Sequence, residues 1–145
     1  LVINRGFAQA NPQMVAGLVE GVLEGNRLVR DNPGAHLDTI ARVFKWTRED
    51  ASTELAKVHL SNLPENLAFF SGSIDSAGSF SGIFSSALLA YGTLIDQPTD
   101  AERYMNVGPL EALKAAGAFA GQQIAIAPIR SSGGGALEGD PLLTK

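Results

Sequence analysis

The chain has 145 residues, 45% hydrophobic and 18% charged, with eleven Lys and Arg against fifteen Asp and Glu for a formal net charge of −4. That length fits one domain or part of one, and the apolar fraction excludes intrinsic disorder over most of it. The acidic balance argues against a nucleic-acid backbone as partner, no apolar run approaches the ~20 residues that span a bilayer, and the absence of cysteine rules out disulfides, thiolate catalysis and Cys-based metal sites.

Leu1-Val2-Ile3-Asn4 reads as the tail of a strand. No charged-then-apolar leader precedes it, so the chain reads as a piece of something longer, with any targeting signal upstream. Asn11-Pro12 pairs an N-cap residue with Pro at the first helical position and predicts a helix to about Arg30. Val15, Leu18, Val19, Val22, Asn26 and Val29 recur in it at helical spacing. Gly17, Gly21 and Gly25 form a stripe on the same helix. Each costs about 1 kcal/mol against Ala in a helix interior, which predicts close approach of another backbone along that face.

Asn32-Pro33 repeats the start signal and opens a second helix with Leu37, Ile40, Ala41 and Phe44 inward. Thr47-Arg48-Glu49-Asp50 fits a capping box with Asp in place of Glu. It opens a third helix carrying Ala51, Leu55 and Val58 inward. Asn62-Leu63-Pro64 leads into a short helix that ends at Phe69-Phe70, followed by a Ser/Gly-rich loop from Ser71 to Gly82. Phe80, Ile83, Phe84, Ala87, Leu88 and Tyr91 mark an amphipathic helix capped by Ser79. It ends near Tyr91-Gly92 or a turn later at Ile95. Thr99-Asp100-Ala101-Glu102 matches a capping box, Pro109 opens a last helix through Leu110, Leu113, Ala116 and Ala120, and Gln123 to Ala127 alternates like a final strand. Residues 131–145 have the composition of a flexible Gly/Ser-rich linker to a further module. The expected fold is therefore mainly α, five to six helices with one or two short strands, over residues 1–130, with 131–145 as linker.

Catalytic chemistry finds little support. His36 and His59 are the only histidines; neither lies in a metal-ligand pattern such as HExxH, and both read as surface or boundary residues. Gly78-Ser79-Phe80-Ser81-Gly82 resembles a nucleophile elbow but has Phe at its centre, and no Gly-Lys-Ser/Thr follows to make a phosphate loop. The carboxylates read as scattered over exposed helix faces, with no pair marked as acid and base. No enzyme, cofactor or metal is expected. The most informative cluster is Asn62, Asn66, Phe69 and Phe70, with Ser71 and Ser73 beside it. On the plain reading the Phe pair is core and the Asn residues are caps. On the functional reading, aromatic walls and neutral amides suit a small polar ligand in a cleft: the amides bind ligand oxygens and the rings exclude water.

Val2-Ile3-Asn4-Arg5-Gly6-Phe7 followed by Asn11-Pro12, then Asn32-Pro33, resembles the strand–turn–helix series that begins the last third of solute-binding proteins serving ABC importers of the nitrate, sulfonate and taurine type. The segment Ser61 to Phe70 is similar to that family's later Asn-containing segment ending in Phe-Phe. Tyr104 to Ala116, with Asn106-Val107 and Leu110-Glu111-Ala112-Leu113, is similar to its closing helix. The resemblance covers roughly residues 1–120. It implies part of a two-lobed α/β protein in the periplasm or cell envelope that captures a small polar or anionic ligand and docks on membrane permease subunits. The Ser/Gly-rich loop from Ser71 to Gly82 and the Gly-rich tail depart from that pattern. Self-association of this portion is expected from the apolar surface left uncovered. The rival expectation is a helical docking module of a larger envelope protein, resting on the glycine stripe and the terminal linker.

Overall fold

The computed structural model describes residues 1–73, 78–92 and 99–126. Their architecture is mainly helical, as expected: α1 (Arg5–Ala10), α2 (Pro12–Asp31), α3 (Pro33–Phe44), α4 (Arg48–Leu55), α5 (Leu63–Ser71), α6 (Phe80–Tyr91), a short 3-10 helix (Ala101–Tyr104) and α7 (Gly108–Ala115). The described residues contain no strand. Residues 1–4 and 122–126 lie beside no partner ladder, and an alternating pattern without a neighbouring strand has nothing to pair with. Residue 127, Ile95 and the proposed linker at 131–145 lie outside the described residues.

Helix starts follow local chemistry closely. Asn32 caps α3 by accepting from the Ala35 amide, Thr47 and Asp50 form the full capping box on α4, and Ser79 caps α6. The Asn4 side chain starts α1, a helix the opening residues do not advertise, by accepting from the Phe7 amide at 3.1 Å. Asn11 stands before Pro12 but makes no side-chain cap; its amide donates back to the Phe7 carbonyl at 3.0 Å. At Thr99–Glu102 the expected box does not form: the N-cap of the 3-10 helix is Asp100, without a side-chain cap bond. The last helix stops at Ala115, short of Ala120, because Gly117 and Phe119 both take positive φ.

Leu23, Leu63 and Leu110 form the buried centre, so α2, α5 and α7 meet there, with Val19, Leu67, Phe70, Leu113 and Phe119 packed around them. Helix α3 packs on both α4 and α2. Between α3 and α4, Lys45 adopts the left-handed conformation and the Trp46 amide reaches back to the Ala41 carbonyl at 2.9 Å, a Schellman-like stop that needs no glycine. Phe44 stacks on Trp46 with centroids 4.6 Å apart. Phe44 is thereby 58% exposed rather than buried, as is Val58 at 56%, which falls beyond the end of α4.

The inward face of α2 differs from the expected one. Val15 and Leu23 are buried, while Leu18 and Val22 are exposed. Asn26 turns inward and donates to the Ser61 carbonyl at 3.1 Å. Beyond the nearby backbone of their own helix, no described atom lies within 4 Å of where a Cβ would stand on Gly17, Gly21 or Gly25, so among the described residues the predicted close approach does not occur. With Met14, Leu18 and Val22 they make an open apolar face on the side away from the core.

Candidate functional site

The start of α5 is the most heavily bonded place in the described chain. Asn62 accepts from the Glu65 amide at 3.0 Å, and the Glu65 carboxylate accepts from the Asn62 amide at 2.9 Å, a capping box with Pro64 at the second helical position. The same carboxylate accepts from His59 Nε2 at 2.8 Å and from the backbone amides of Ala125 at 2.8 Å and Ile126 at 3.2 Å. The Asn62 amide group donates to the Gln123 carbonyl at 2.7 Å, and the Leu63 amide donates to Gln122 Oε1 at 3.3 Å. The segment 122–126 is thus strapped to α5 by side chains rather than by a sheet ladder.

Glu65 is 2% exposed. Burial pushes its carboxyl upward, but the bonds from His59, the Asn62 amide and the Ala125 amide, with the charge of His59, outweigh that and hold it below the ordinary carboxylate range. The motifs read from the sequence mark neither Glu65 nor a partner for His59. The signal was present: Asn62-Leu63-Pro64-Glu65 is itself a capping-box pattern. His59 is a boundary residue whose imidazole is fixed by a buried acid. Among the described residues no hydroxyl is hydrogen-bonded to it, and no group of three or more His, Asp or Glu could hold a metal ion.

Beside this junction a groove of about 690 Å³ runs between α5, α7 and the turn at 117–122. Leu67, Phe70, Val107 and Phe119 give it apolar walls, and Ser71, Ser73, Glu111 and Lys114 bring polar groups to it. Glu111 and Lys114 are exposed and in no ion pair with another described residue. That volume lies in the range of small-molecule sites, roughly 300–1,000 Å³.

The six residues singled out from the sequence divide around this groove. Phe70, Ser71 and Ser73 line it, with the two hydroxyls 2.9 Å apart. Asn62, Asn66 and Phe69 do not. The Asn62 side chain is spent on the cap and on Gln123, and the Asn66 amide turns back to the Asn62 carbonyl at 2.8 Å. Phe69 packs edge-on against Phe70 at 5.1 Å and Phe80 at 6.3 Å, part of an aromatic chain that continues through Phe84 to Tyr104. Geometry therefore gives the Asn residues a structural position and, of the Phe69–Phe70 pair, puts only Phe70 on the groove, where it shares the aromatic wall with Phe119.

No helix among the described residues is long and apolar enough to cross a membrane. No protein-family model, curated protein or solved structure matches the chain.

Proposed function

We propose that this chain is the helical part of a solute-binding protein of an ABC importer of the nitrate, sulfonate and taurine type, a two-lobed α/β protein of the periplasm or cell envelope. In this reading it is non-catalytic and captures a small polar or anionic ligand for delivery to membrane permease subunits. The observation that carries the reading is the groove between α5 and α7, on the segments that resemble the family. It has the composition such a site needs: apolar walls that exclude water, and a few polar groups that orient a ligand. The open apolar face of α2 also suits one part of a larger body, because helices of an α/β protein bury a face against a sheet.

The test is a thermal shift on the full chain with nitrate, bicarbonate, taurine, alkyl sulfonates and pyrimidine-like compounds. A ligand that binds only the native state stabilises it by RT ln(1 + [L]/Kd), about 2.7 kcal/mol at a hundredfold excess over Kd. A shift with one compound, lost in Phe70→Ala at matched stability, supports the reading. A well-folded protein with no shift for any of them sinks it.

The second reading, a helical docking module, is favoured by the same α2 face, where Gly17, Gly21 and Gly25 leave room for a partner's backbone. It predicts self-association or partner capture that Gly21→Leu abolishes. A monodisperse monomer by light scattering, unchanged by Gly21→Leu, counts against the self-associating form.

A further inference from the structure

A second cavity, of about 490 Å³, opens where the end of α2, the start of α3 and the end of α4 converge. Val29, Leu37, Leu55 and Leu60 make its walls apolar. Three residues with hydrogen-bonding side chains line it, Arg30, Ser52 and His59, and no acidic residue does. Arg30 is half-buried. Its Nη1 donates to the Leu60 carbonyl at 2.6 Å. It has no acidic partner among the described residues, whereas Arg27, one turn earlier on α2, is bracketed by Glu24 and Asp31, and Arg48 by Asp38. A guanidinium presents five N–H donors in a fixed fork, so most of the donating capacity of Arg30 is unspent beside an apolar cavity. The Nε2 of His59 is committed to Glu65, which fixes the ring and leaves Nδ1 as its one remaining polar atom.

We propose that this cavity binds a small carboxylate with an aliphatic body. The planar carboxylate meets the Arg30 fork, the bidentate match that favours arginine over lysine at such sites, and the Ser52 hydroxyl supplies a further donor. The aliphatic part lies on Leu37 and Leu55. The walls select against small inorganic anions, which gain nothing from apolar surface, and the cation selects against neutral and basic amphiphiles. This site is separate from the groove between α5 and α7, and its standing does not depend on the solute-binding reading.

The test is titration of the full, isotope-labelled chain with hexanoate, hexanol and hexylamine, followed by amide NMR shifts. Saturable shifts with hexanoate, centred on residues 52–60 and absent with hexanol and hexylamine, are expected. Arg30→Gln should weaken hexanoate binding at least about tenfold, through loss of the bidentate charge-assisted pair. Because Arg30 also holds the Leu60 carbonyl, Ala56→Phe, at an exposed residue that lines the cavity, provides the second variant: it leaves Arg30 in the sequence, occupies the cavity and should abolish the shifts. No saturable response to hexanoate, equal binding of hexanol, or unchanged affinity in Ala56→Phe overturns the proposal. N-acetyl-leucine in a parallel arm separates the sources of this chemistry. Tighter binding than hexanoate assigns the site to a peptide C-terminus, and weaker binding to a free aliphatic acid.

Discussion

Helices α5 and α6 begin alike and end in different surroundings. Asn62 and Ser79 each accept from the backbone amide three residues on, at 3.0 and 3.1 Å. Both helices are rich in Phe and poor in charge. Yet α5 buries Leu63, Glu65 and Ala68, while α6 buries none of its residues and leaves Leu89 89% exposed. The difference comes from what packs on each helix: Leu63 of α5 sits in the core with Leu23 and Leu110, and a further segment crosses the helix start. At α5 the strap 122–126 delivers three of its backbone groups to Asn62 and Glu65; α6 has aromatic contacts with Phe69, Phe70 and Tyr104. A cap decides where a helix starts, and long-range partners decide how much of it is buried.

Removing Glu65 should break this contrast most severely. Glu65→Ala leaves His59 and the amides of Asn62, Ala125 and Ile126 without their acceptor. The Asn62 amide is buried and the other three bonds are part-buried. At about 1–3 kcal/mol for a buried donor left unsatisfied and less for donors near solvent, urea unfolding should show a loss of about 2–4 kcal/mol. A smaller loss would mean that water reaches those donors and that the junction is not sealed.

The same carboxylate should make stability depend on pH. Its folded-state pKa lies below its unfolded value, so its contribution is present above the ordinary carboxylate range and is lost as pH falls through the folded value. Unfolding midpoints between pH 6 and pH 3 should therefore decline more steeply in the parent than in Glu65→Gln. Parallel curves would assign the decline to other acids.

A paired comparison of caps is finer. Ser79→Ala should cost about 1 kcal/mol, the ordinary value of an N-cap. Asn62→Ala should cost more, because it also cuts the tie to Gln123. A loss at Asn62 no larger than the ordinary value of a cap would show that the strap adds nothing to it. The smallest effect is a gain. Gly21→Ala meets open space and should stabilise the chain by about 0.4–1 kcal/mol. A loss instead would show that something covers that face in solution.

Much of the fold was legible because its signals are local. Asn32-Pro33, Thr47 with Asp50, and Ser79 each place a helix start from residues within one turn. The face of α2 was harder to read. Apolar residues stand on two sides of that helix, so periodicity finds Val15, Leu18, Val19 and Val22 without saying that Leu23 is the residue α5 and α7 will cover. The site divides the same way. Phe70, Ser71 and Ser73 lie together because they are close in sequence, and they do line the groove. Glu65 joins partners 60 and 61 positions away in sequence, and nothing near residue 65 announces Ala125 or Ile126. The Asn-x-x-Glu pattern explains its backbone bond and stops there.

The corner between α3 and α4 has a consequence for spectroscopy. Trp46 is the chain's one tryptophan, and it sits stacked on Phe44 beside the left-handed Lys45. Its emission therefore reports the opening of that corner and is distant in the chain from both the strap and the groove. A fluorescence melt and a far-ultraviolet dichroism melt of this protein measure different events whenever the α5 junction lets go first, and the gap between the two curves is a direct readout of whether the helices unfold as one unit.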